Sequence, residues 1–148
     1  MAGMETTRLR ASVICVDEGA LLCVRLRDPL ARIARLFVPG GLVEEGELPG
    51  AAAIRETREE TGYAVLLDPA SEHVARYPFT WAGVTFACTT HFFAATLHGS
   101  RADAAVVQDA SYNEGVVWVA RERIDAELGF DRAIHAAVLH VLGVRDGV

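Results

Sequence analysis

Apolar and polar positions alternate along much of the chain, with the period expected of half-buried β-strands. This alternation, together with β-branched residues, predicts a strand over Leu9–Asp17, and the apolar run Ala20–Leu26 follows a Glu-Gly turn as its hairpin partner. The long run Val84–Leu97 is apolar on two faces and predicts a central strand. Shorter apolar runs predict further strands over Leu36–Val38, Ala64–Leu67, His73–Phe79 and Glu114–Val119.

Two stretches have helical spacing instead. The first runs from Pro49 to Thr61 and ends before Gly62, because proline favours the first helical position and glycine the position after the last. A second helix begins near Asp131, a suitable N-cap residue. The side chains predicted to face inward are Ile54, Thr57, Thr61, Ile134, Val138, Val141 and Leu142. A sheet with helices at separate points in the chain predicts an α/β sandwich with a mixed β-sheet.

The connections between these elements contain no linker, repeat or low-complexity tract. Pro39, Gly40 and Gly41 predict a break after a short strand, and residues 99–113 predict a polar loop. A chain of 148 residues is long enough to bury a core of its own. We therefore expect a single domain over residues 1–148.

The composition excludes several classes of function. The net charge of -6 offers no basic surface to duplex nucleic acid. The three cysteines lack metal-ligand spacing and lie in apolar runs, as expected of buried thiols in a reducing compartment. The N-terminal MAGMETTRLR lacks the apolar stretch of a signal peptide, and no apolar run approaches the roughly twenty residues of a membrane span. We expect a cytoplasmic protein without DNA or membrane partners.

Negative charge is concentrated between Gly41 and Tyr63, a stretch that holds six of the twelve glutamates. On a helix with about 100° per residue, Glu56, Glu59 and Glu60 project within one arc of about 100°. A solvated acidic face is the ordinary explanation for such a pattern. However, these acids lie in the C-terminal half of the helix, which is the wrong end of its dipole, and no Lys or Arg stands four residues further on to pair them.

A hard divalent cation would offset this repulsion. Mg²⁺ prefers oxygen ligands, keeps several waters and is usually completed by substrate phosphates. Such an ion neutralises developing charge and lowers the pKa of a bound water. The cluster therefore predicts metal-dependent phosphate chemistry rather than a closed structural metal site.

The same stretch contains a set of residues at fixed spacing, namely Gly41, Glu47, Arg55, Glu56, Glu59, Glu60 and Gly62. Their spacing resembles that of the Nudix box, the signature of a known family, the Nudix hydrolases. Thr57 and Tyr63 depart mildly from the pattern, which concerns helix packing more than chemistry. LFVPGG before the box and the spacing of Glu114 and Trp118 after it are also similar to the family, so the resemblance covers essentially the whole domain. It implies a Nudix-type α/β/α sandwich.

The resemblance implies a metal site. Glu56 and Glu60 would be direct ligands of Mg²⁺ or Mn²⁺, and Glu59 would be a further ligand or the base that activates water. The carbonyl of Gly40 or Gly41 would reach the same metal.

The resemblance also implies two supporting roles. Arg55 would orient the carboxylates through ion pairing, with Glu47 as its expected partner; a solvated helix arginine is the alternative. The general base of this family comes either from the helix or from a later loop. Glu114 is therefore a candidate for an outlying ligand or base, and a solvated loop acid is the alternative.

The implied reaction is attack of water on one phosphorus of a nucleoside diphosphate linked to another moiety. Pro78 stands fifteen residues after Tyr63, where subfamilies acting on ADP-ribose carry a proline, so ADP-ribose or a related nucleotide sugar is one expected substrate. A (deoxy)nucleoside triphosphate is the other. Candidates for stacking a base are Tyr77, Phe79, Trp81 and Phe86. Candidates for meeting the far phosphate are Arg25, Arg27, Arg32 and Arg35.

Two further classes of function stay open. A non-catalytic sensor would bind a nucleotide without cleaving it, and the intact acids argue against this. An RNA 5′-end pyrophosphohydrolase would need to attract a polyanion, and the negative net charge weighs against it. The family resemblance is compatible with a homodimer, which the residues themselves do not establish.

Overall fold

The structure is a computed structural model that describes residues 6–145. Residues 1–5, part of the stretch from which the absence of a signal peptide was predicted, lie outside the described residues. The strands are β1 (Thr6–Asp17), β2 (Ala20–Arg27), β3 (Ala34–Phe37), β4 (Gly40–Leu42), β5 (Val65–Leu67), β6 (His73–Trp81), β7 (Val84–Leu97) and β8 (Asn113–Ala120). The α-helices are α1 (Pro49–Thr61), α2 (Ile124–Leu128) and α3 (Arg132–Arg145).

The strands form a mixed sheet with β1 and β7 at its centre. The main path of the sheet is β3-β2-β1-β7-β5, while β4 pairs with β1, β6 with β7 and β8 with β2. β1 and β7 run parallel from the pair Thr6 and Phe86 to the pair Cys15 and Ala95, whereas β6 is antiparallel to β7. The predicted central position of β7 is confirmed.

Helices cover both faces of this sheet. Val13 and Phe93 belong to the core that includes Ala52 of α1, whereas their neighbours Ile14 and Phe92 belong to the core beneath α3. Successive residues of a strand point to opposite faces, so α1 and α3 lie on opposite sides of β1 and β7. The predicted α/β/α sandwich with a mixed β-sheet is confirmed. No helix within residues 6–145 combines the length and the apolar character needed to cross a bilayer.

Helix α1 has the bounds predicted from the sequence. Gly62 ends it in the left-handed conformation with φ of 80°, and its N–H donates to the carbonyl of Arg58 at 2.9 Å. A Cβ at Gly62 would collide with the carbonyl oxygen of Ala105, so glycine is needed here for space as well as for conformation. Thr57 is fully buried and donates its hydroxyl hydrogen to the carbonyl of Ala53 at 2.7 Å, which satisfies a polar group on the inward face.

The predicted inward orientation of Ile54 was wrong. Ile54 is 39% exposed, because the small side chains of Ala52 and Ala53 form the close contact with the sheet. The predicted break after a short strand is confirmed, because β3 ends at Phe37 and a new strand, β4, begins at Gly40 and pairs with β1. β6 extends two residues beyond the predicted end at Phe79, to Trp81, and α2 was not predicted. The N-cap role of Asp131 is confirmed by a 3.0 Å hydrogen bond from the N–H of Ile134 to its side chain.

Candidate active site

A cavity of about 430 Å³ opens where β1, β6 and β7 meet the segment around β4, helix α1 and the loop before β8. Its lining combines acidic, basic and aromatic side chains. The acids are Glu56, Glu60 and Asp109, the arginines are Arg8 and Arg10, and the aromatic residues are Phe37, Tyr77, Phe79, Trp81, Phe86, Phe92 and Tyr112.

Helix α1 delivers two carboxylates to this cavity. Glu60 is only 8% exposed, and its Oε1 accepts a 2.8 Å hydrogen bond from the backbone N–H of Gly40. A Cβ at Gly41 would collide with the carboxylate of Glu56. The glycines of β4 therefore leave the room in which the two acids of α1 lie against that strand.

Arg55 links Glu47, Glu56 and Glu59 in one ion-pair network. Its Nε and Nη2 each donate a 2.9 Å hydrogen bond to Glu47, in the bidentate geometry that a guanidinium favours. Its Nη1 donates to Glu56 at 2.8 Å and to Glu59 at 3.3 Å, and Nη2 also donates to the carbonyl of Leu42 at 2.9 Å. The predicted pairing of Arg55 with Glu47 is confirmed. The cation that balances Glu59 thus precedes it by four residues instead of following it.

The pKa values of these glutamates differ because their surroundings differ. Burial raises the pKa of Glu60 from 4.5 to about 8, opposed in part by the hydrogen bond from Gly40 and the charge of Arg10. Burial also raises the pKa of Glu56, which outweighs the hydrogen bond from Arg55. At Glu47 the hydrogen bond from Arg55 lowers the pKa to about 2. Glu60 is therefore the acid of the cavity whose ionised form gains most from an added cation.

Two arginines of β1 lie on the floor of the cavity. Arg8 and Arg10 are two positions apart, so both project from the same face of the strand. Arg10 is opposite Leu42 of β4, and Arg8 is opposite Cys88 of β7. The guanidinium carbon of Arg8 lies 4.5 Å from the centre of the Phe86 ring, within the range of a cation–π contact.

Aromatic side chains form the wall at the other end. Tyr77, Phe79 and Trp81 project from one face of β6 into the cavity. Phe37 meets Phe79 and Trp81 edge-to-face, with ring centres 5.8 and 6.3 Å apart, and Tyr112 packs against Trp81 at 5.4 Å. Rings supported in this way offer a firm surface on which a planar ring can stack.

The loop before β8 supplies the third acid of the cavity, Asp109. Asn113 ties it in place, because its Nδ2 donates to Asp109 at 2.9 Å and to the backbone carbonyl of Glu60 at 3.1 Å. Its Oδ1 accepts a 2.9 Å hydrogen bond from the N–H of Gly115. The negative charge of Asp109 contributes to the raised pKa of Glu60. The loop is therefore anchored to the end of α1 that carries the acids.

The predicted catalytic and metal-binding residues occupy three different positions. Glu59 turns toward Arg55, with 54% of its side chain exposed, and does not line the cavity. Glu114 also lies outside the lining and forms a 2.6 Å ion pair with Arg27, whose hydrogen bond lowers the pKa of Glu114. Those that line the cavity are Gly41, Glu56 and Glu60.

Of the residues predicted to contact the substrate, some line the cavity and others do not. All four candidates for stacking a base line the cavity, whereas Pro78 lies on the opposite face of β6 from Tyr77. None of Arg25, Arg27, Arg32 and Arg35 lines it. Sequence reasoning missed Arg8 and Arg10, because alternate arginines on a strand have the pattern of a solvated face. It also missed Asp109, since the sequence of a loop contains no signal for where its acids lie.

The acidic end of the cavity suits a hard divalent cation. The carboxylates of Glu56 and Glu60 and the backbone of Gly40 and Gly41 present oxygen donors, which Mg²⁺ and Mn²⁺ prefer. Among residues 6–145, no three His, Cys, Asp or Glu side chains are gathered into a complete metal site. A magnesium ion held by two carboxylates is ordinarily completed by waters and phosphate oxygens, so the donors present fit such an ion.

Comparison with known proteins matches this chain to one family. The family model of the NUDIX domain matches residues 6–141. The ADP-sugar pyrophosphatase of Mus musculus is 38% identical over 85 residues, which are 57% of this chain and 36% of that protein. The ADP-ribose pyrophosphatase of Bacillus subtilis is 43% identical over 54 residues, which are 36% of this chain and 29% of that protein. The aligned region thus spans about a third of the length of these relatives.

Solved structures match over nearly the full chain. An Ap4A hydrolase from C. elegans superposes with a TM-score of 0.72 at 17% identity, covering 96% of this chain and 100% of that one. At this identity the match concerns the fold. It agrees with the layered arrangement of α1, the sheet and α3.

Proposed function

The chain belongs to the NUDIX domain family, and on that premise we propose that it hydrolyses the diphosphate bond of a nucleoside diphosphate linked to another moiety. ADP-ribose or a related ADP-sugar is the substrate we favour, because the two relatives described above bear the names of enzymes that act on such compounds. The observation that carries the proposal is a single cavity that combines two box glutamates, two arginines and an aromatic wall.

The proposed reaction adds water across the phosphoanhydride. An oxygen of water bonds to one phosphorus, the bond from that phosphorus to the bridging oxygen breaks, and the products are a nucleoside phosphate and the phosphate of the second moiety. The aromatic wall would hold the nucleobase of the substrate, while the acidic end of the cavity would receive its diphosphate. Positioning and charge neutralisation then supply most of the rate enhancement.

The divalent cation of this reaction is Mg²⁺ or Mn²⁺ in our proposal. Glu56 and Glu60 would hold it together with the carbonyl of Gly40 or Gly41, and Glu59 remains a further candidate. When bound, such an ion neutralises charge on the phosphates and lowers the pKa of water. Arg55 would keep the carboxylate of Glu56 in place from the opposite side, through the 2.8 Å hydrogen bond it donates.

The reaction also needs a general base that takes the proton of the attacking water. We propose Asp109 for this role, because it lines the cavity and Asn113 restrains its carboxylate with a 2.9 Å hydrogen bond. Glu59 and Glu114 remain the candidates predicted from the sequence. Both lie outside the cavity lining, so each would have to reorient to reach the water.

The test is hydrolysis of a panel of nucleotides with the products identified. The panel contains ADP-ribose, another ADP-sugar, ATP, a deoxynucleoside triphosphate, a dinucleoside polyphosphate and a 5′-triphosphorylated RNA, each with Mg²⁺ or with EDTA. We expect Mg²⁺-dependent formation of AMP and ribose phosphate from ADP-ribose at the highest kcat/KM. A preference for triphosphates would assign the alternative activity. Binding without cleavage of any compound would assign the sensor class instead.

A further inference from the structure

Within residues 6–145, the two arginines on the floor of the cavity form no direct ion pair with an acid. Among the side chains that the structure describes, no hydrogen bond or ion pair is formed by the guanidinium group of Arg8 or Arg10. By contrast, Arg27 is bound to Glu114 and Arg55 to a group of glutamates. A guanidinium has five N–H donors, and both groups are partly buried in the cavity. These donors remain available to an anionic ligand.

The strand register sets the order of the two arginines. Arg10 is opposite Leu42, the residue after Gly41, and its positive charge acts to lower the pKa of both Glu56 and Glu60. Arg10 is therefore the arginine next to the acids.

Arg8 is the arginine next to the aromatic wall. It precedes Arg10 by two residues, which is about 6.8 Å along an antiparallel or parallel strand. Its guanidinium rests on Phe86, and Phe86 is paired across the sheet with Phe79. A ligand that extends from the aromatic wall to the acids passes Arg8 first and Arg10 second.

We propose that Arg8 and Arg10 bind successive phosphates of the substrate. Arg8 would bind the phosphate attached to the nucleoside, and Arg10 the second phosphate, whose other oxygens face the acids. This assignment rests on the proposed function and deepens it, because it fixes the direction in which the diphosphate lies along β1. It also means that the cavity binds a nucleotide diphosphate with one arginine for each phosphate.

The two arginines should then affect nucleoside mono- and diphosphates differently. Loss of a charged hydrogen-bonding partner of a phosphate typically weakens binding about tenfold to a hundredfold. Arg8→Gln should weaken AMP and a diphosphate equally by about this factor. Arg10→Gln should weaken the diphosphate by about this factor and leave AMP within about threefold of the unaltered protein.

The experiment is calorimetric titration of the full chain with AMP and with α,β-methylene-ADP, which cannot be hydrolysed between its phosphates. Each titration is run with Mg²⁺ and with EDTA. Arg76→Gln is the matched control, because Arg76 is exposed on the opposite face of β6 from Tyr77. The variants Arg8→Lys and Arg10→Lys keep the positive charge, and we expect them to recover part of the affinity lost in the glutamine variants. Such a recovery would show that the loss does not come from misfolding. Thermal melting of every variant is compared with that of the unaltered protein.

Three outcomes would overturn the assignment. They are equal affinities in all variants, a loss of AMP binding in Arg10→Gln with none in Arg8→Gln, and losses in Arg76→Gln as large as those in the cavity variants. Failure of the unaltered protein to bind either nucleotide would overturn it as well. Turnover of ADP-ribose is measured separately. A protein that binds in the expected order but cleaves nothing would refute the proposed function and leave the phosphate assignment standing.

Discussion

The backbone N–H of Gly40 donates a 2.8 Å hydrogen bond to Oε1 of Glu60, and this bond joins β4 to α1 at the acidic end of the cavity. Arg55 is bonded to Glu47, Glu56 and Glu59, so the buried Glu60 depends on this neutral donor and on the more distant charge of Arg10. Burial raises the pKa of Glu60 to about 8, although the Gly40 hydrogen bond and the Arg10 charge both act to lower it. Protonation and stability are therefore coupled through this one side chain, and in the proposed site metal binding is coupled to both.

Without metal, the stability of the protein should fall as the pH rises from about 4.5 to 8. The folded protein keeps a proton on Glu60 up to about pH 8, whereas the unfolded chain releases it near pH 4.5. The stabilisation is fully present below the lower value and is lost as the pH passes through the higher one. We expect the free energy of unfolding in EDTA to decrease by on the order of 4 kcal/mol over this range, measured by urea denaturation.

Glu60→Gln is the control for this dependence. The amide keeps the acceptor for the N–H of Gly40 but has no proton to lose, so most of the decrease should disappear. Glu47 does not interfere, because the Arg55 hydrogen bond lowers its pKa to about 2 and it titrates below this range. An unchanged pH profile in Glu60→Gln would show that the buried carboxyl is not the group responsible.

Arg55→Lys should reduce turnover while the protein still folds. Lysine keeps the charge but has only three donors on one nitrogen, so it cannot reproduce the bidentate bond to Glu47 together with the bonds to Glu56 and the Leu42 carbonyl, and the restraint on Glu56 would weaken. Residues that orient metal ligands typically contribute about tenfold to a hundredfold in activity or metal affinity, and we expect a loss of kcat in that range. Steady-state kinetics as a function of Mg²⁺ concentration checks this.

Arg123→Lys is the matched control for Arg55→Lys. Arg123 also pairs with a glutamate four residues on, Glu127 at 2.9 Å, but on an exposed surface. Its replacement should leave kcat unchanged, since exposed ion pairs contribute little. Equal effects of the two substitutions would argue against a positioning role for Arg55.

Gly41→Ala should impair the site without a charge change. The added Cβ would collide with the carboxylate of Glu56 and push it away from its present position. A displacement of about 1 Å at a reacting centre can reduce the rate about a hundredfold, and we expect a loss of this size in kcat. Gly143→Ala serves as the comparison, because no neighbouring atom lies within 4 Å of its added Cβ. Turnover of Gly41→Ala near that of Gly143→Ala would contradict the proposed placement of Glu56.

The local features of the box were predictable from the sequence because they depend on neighbouring residues. Pro49 at the start of α1 and Gly62 after its end follow from the preferences of helix termini, and the family resemblance implied the pairing of Arg55 with Glu47. The cation that pairs with Glu59 is Arg55, which stands four residues before it and not four residues after it. The acids and their main counter-charge are thus encoded within one short stretch.

The rest of the cavity depends on contacts between distant parts of the chain. Arg8 and Arg10 reach it because β1 pairs in parallel with β7, a pairing that no local pattern specifies. Asp109 reaches it because Asn113 bonds to the backbone of α1, more than fifty residues earlier in the chain. The choice of Glu114 instead rested on its position at the start of a strand, where Arg27 in fact pairs with it.

The variants Asp109→Asn and Glu114→Gln together should show which of these two acids acts as the general base. Asparagine can still accept the hydrogen bond from Asn113, so Asp109→Asn removes the charge and the base while keeping the tether. We expect kcat to fall about a hundredfold or more, which is the typical contribution of a general base. Glu114→Gln should leave kcat within about threefold, as expected for one half of an exposed ion pair. A large fall in kcat for Glu114→Gln, with little change for Asp109→Asn, would instead assign the role of general base to Glu114.

The most direct test of the proposed active site is the variant Glu60→Gln, assayed for Mn²⁺ binding, turnover and thermal melting, with exposed Glu122→Gln as the control. We expect loss of tight Mn²⁺ binding and a fall in kcat of roughly three orders of magnitude, with a melting temperature no lower than that of the unaltered protein. Turnover close to that of the unaltered protein, with Mn²⁺ still bound, would contradict the claim that the carboxylates of Glu56 and Glu60 hold the metal.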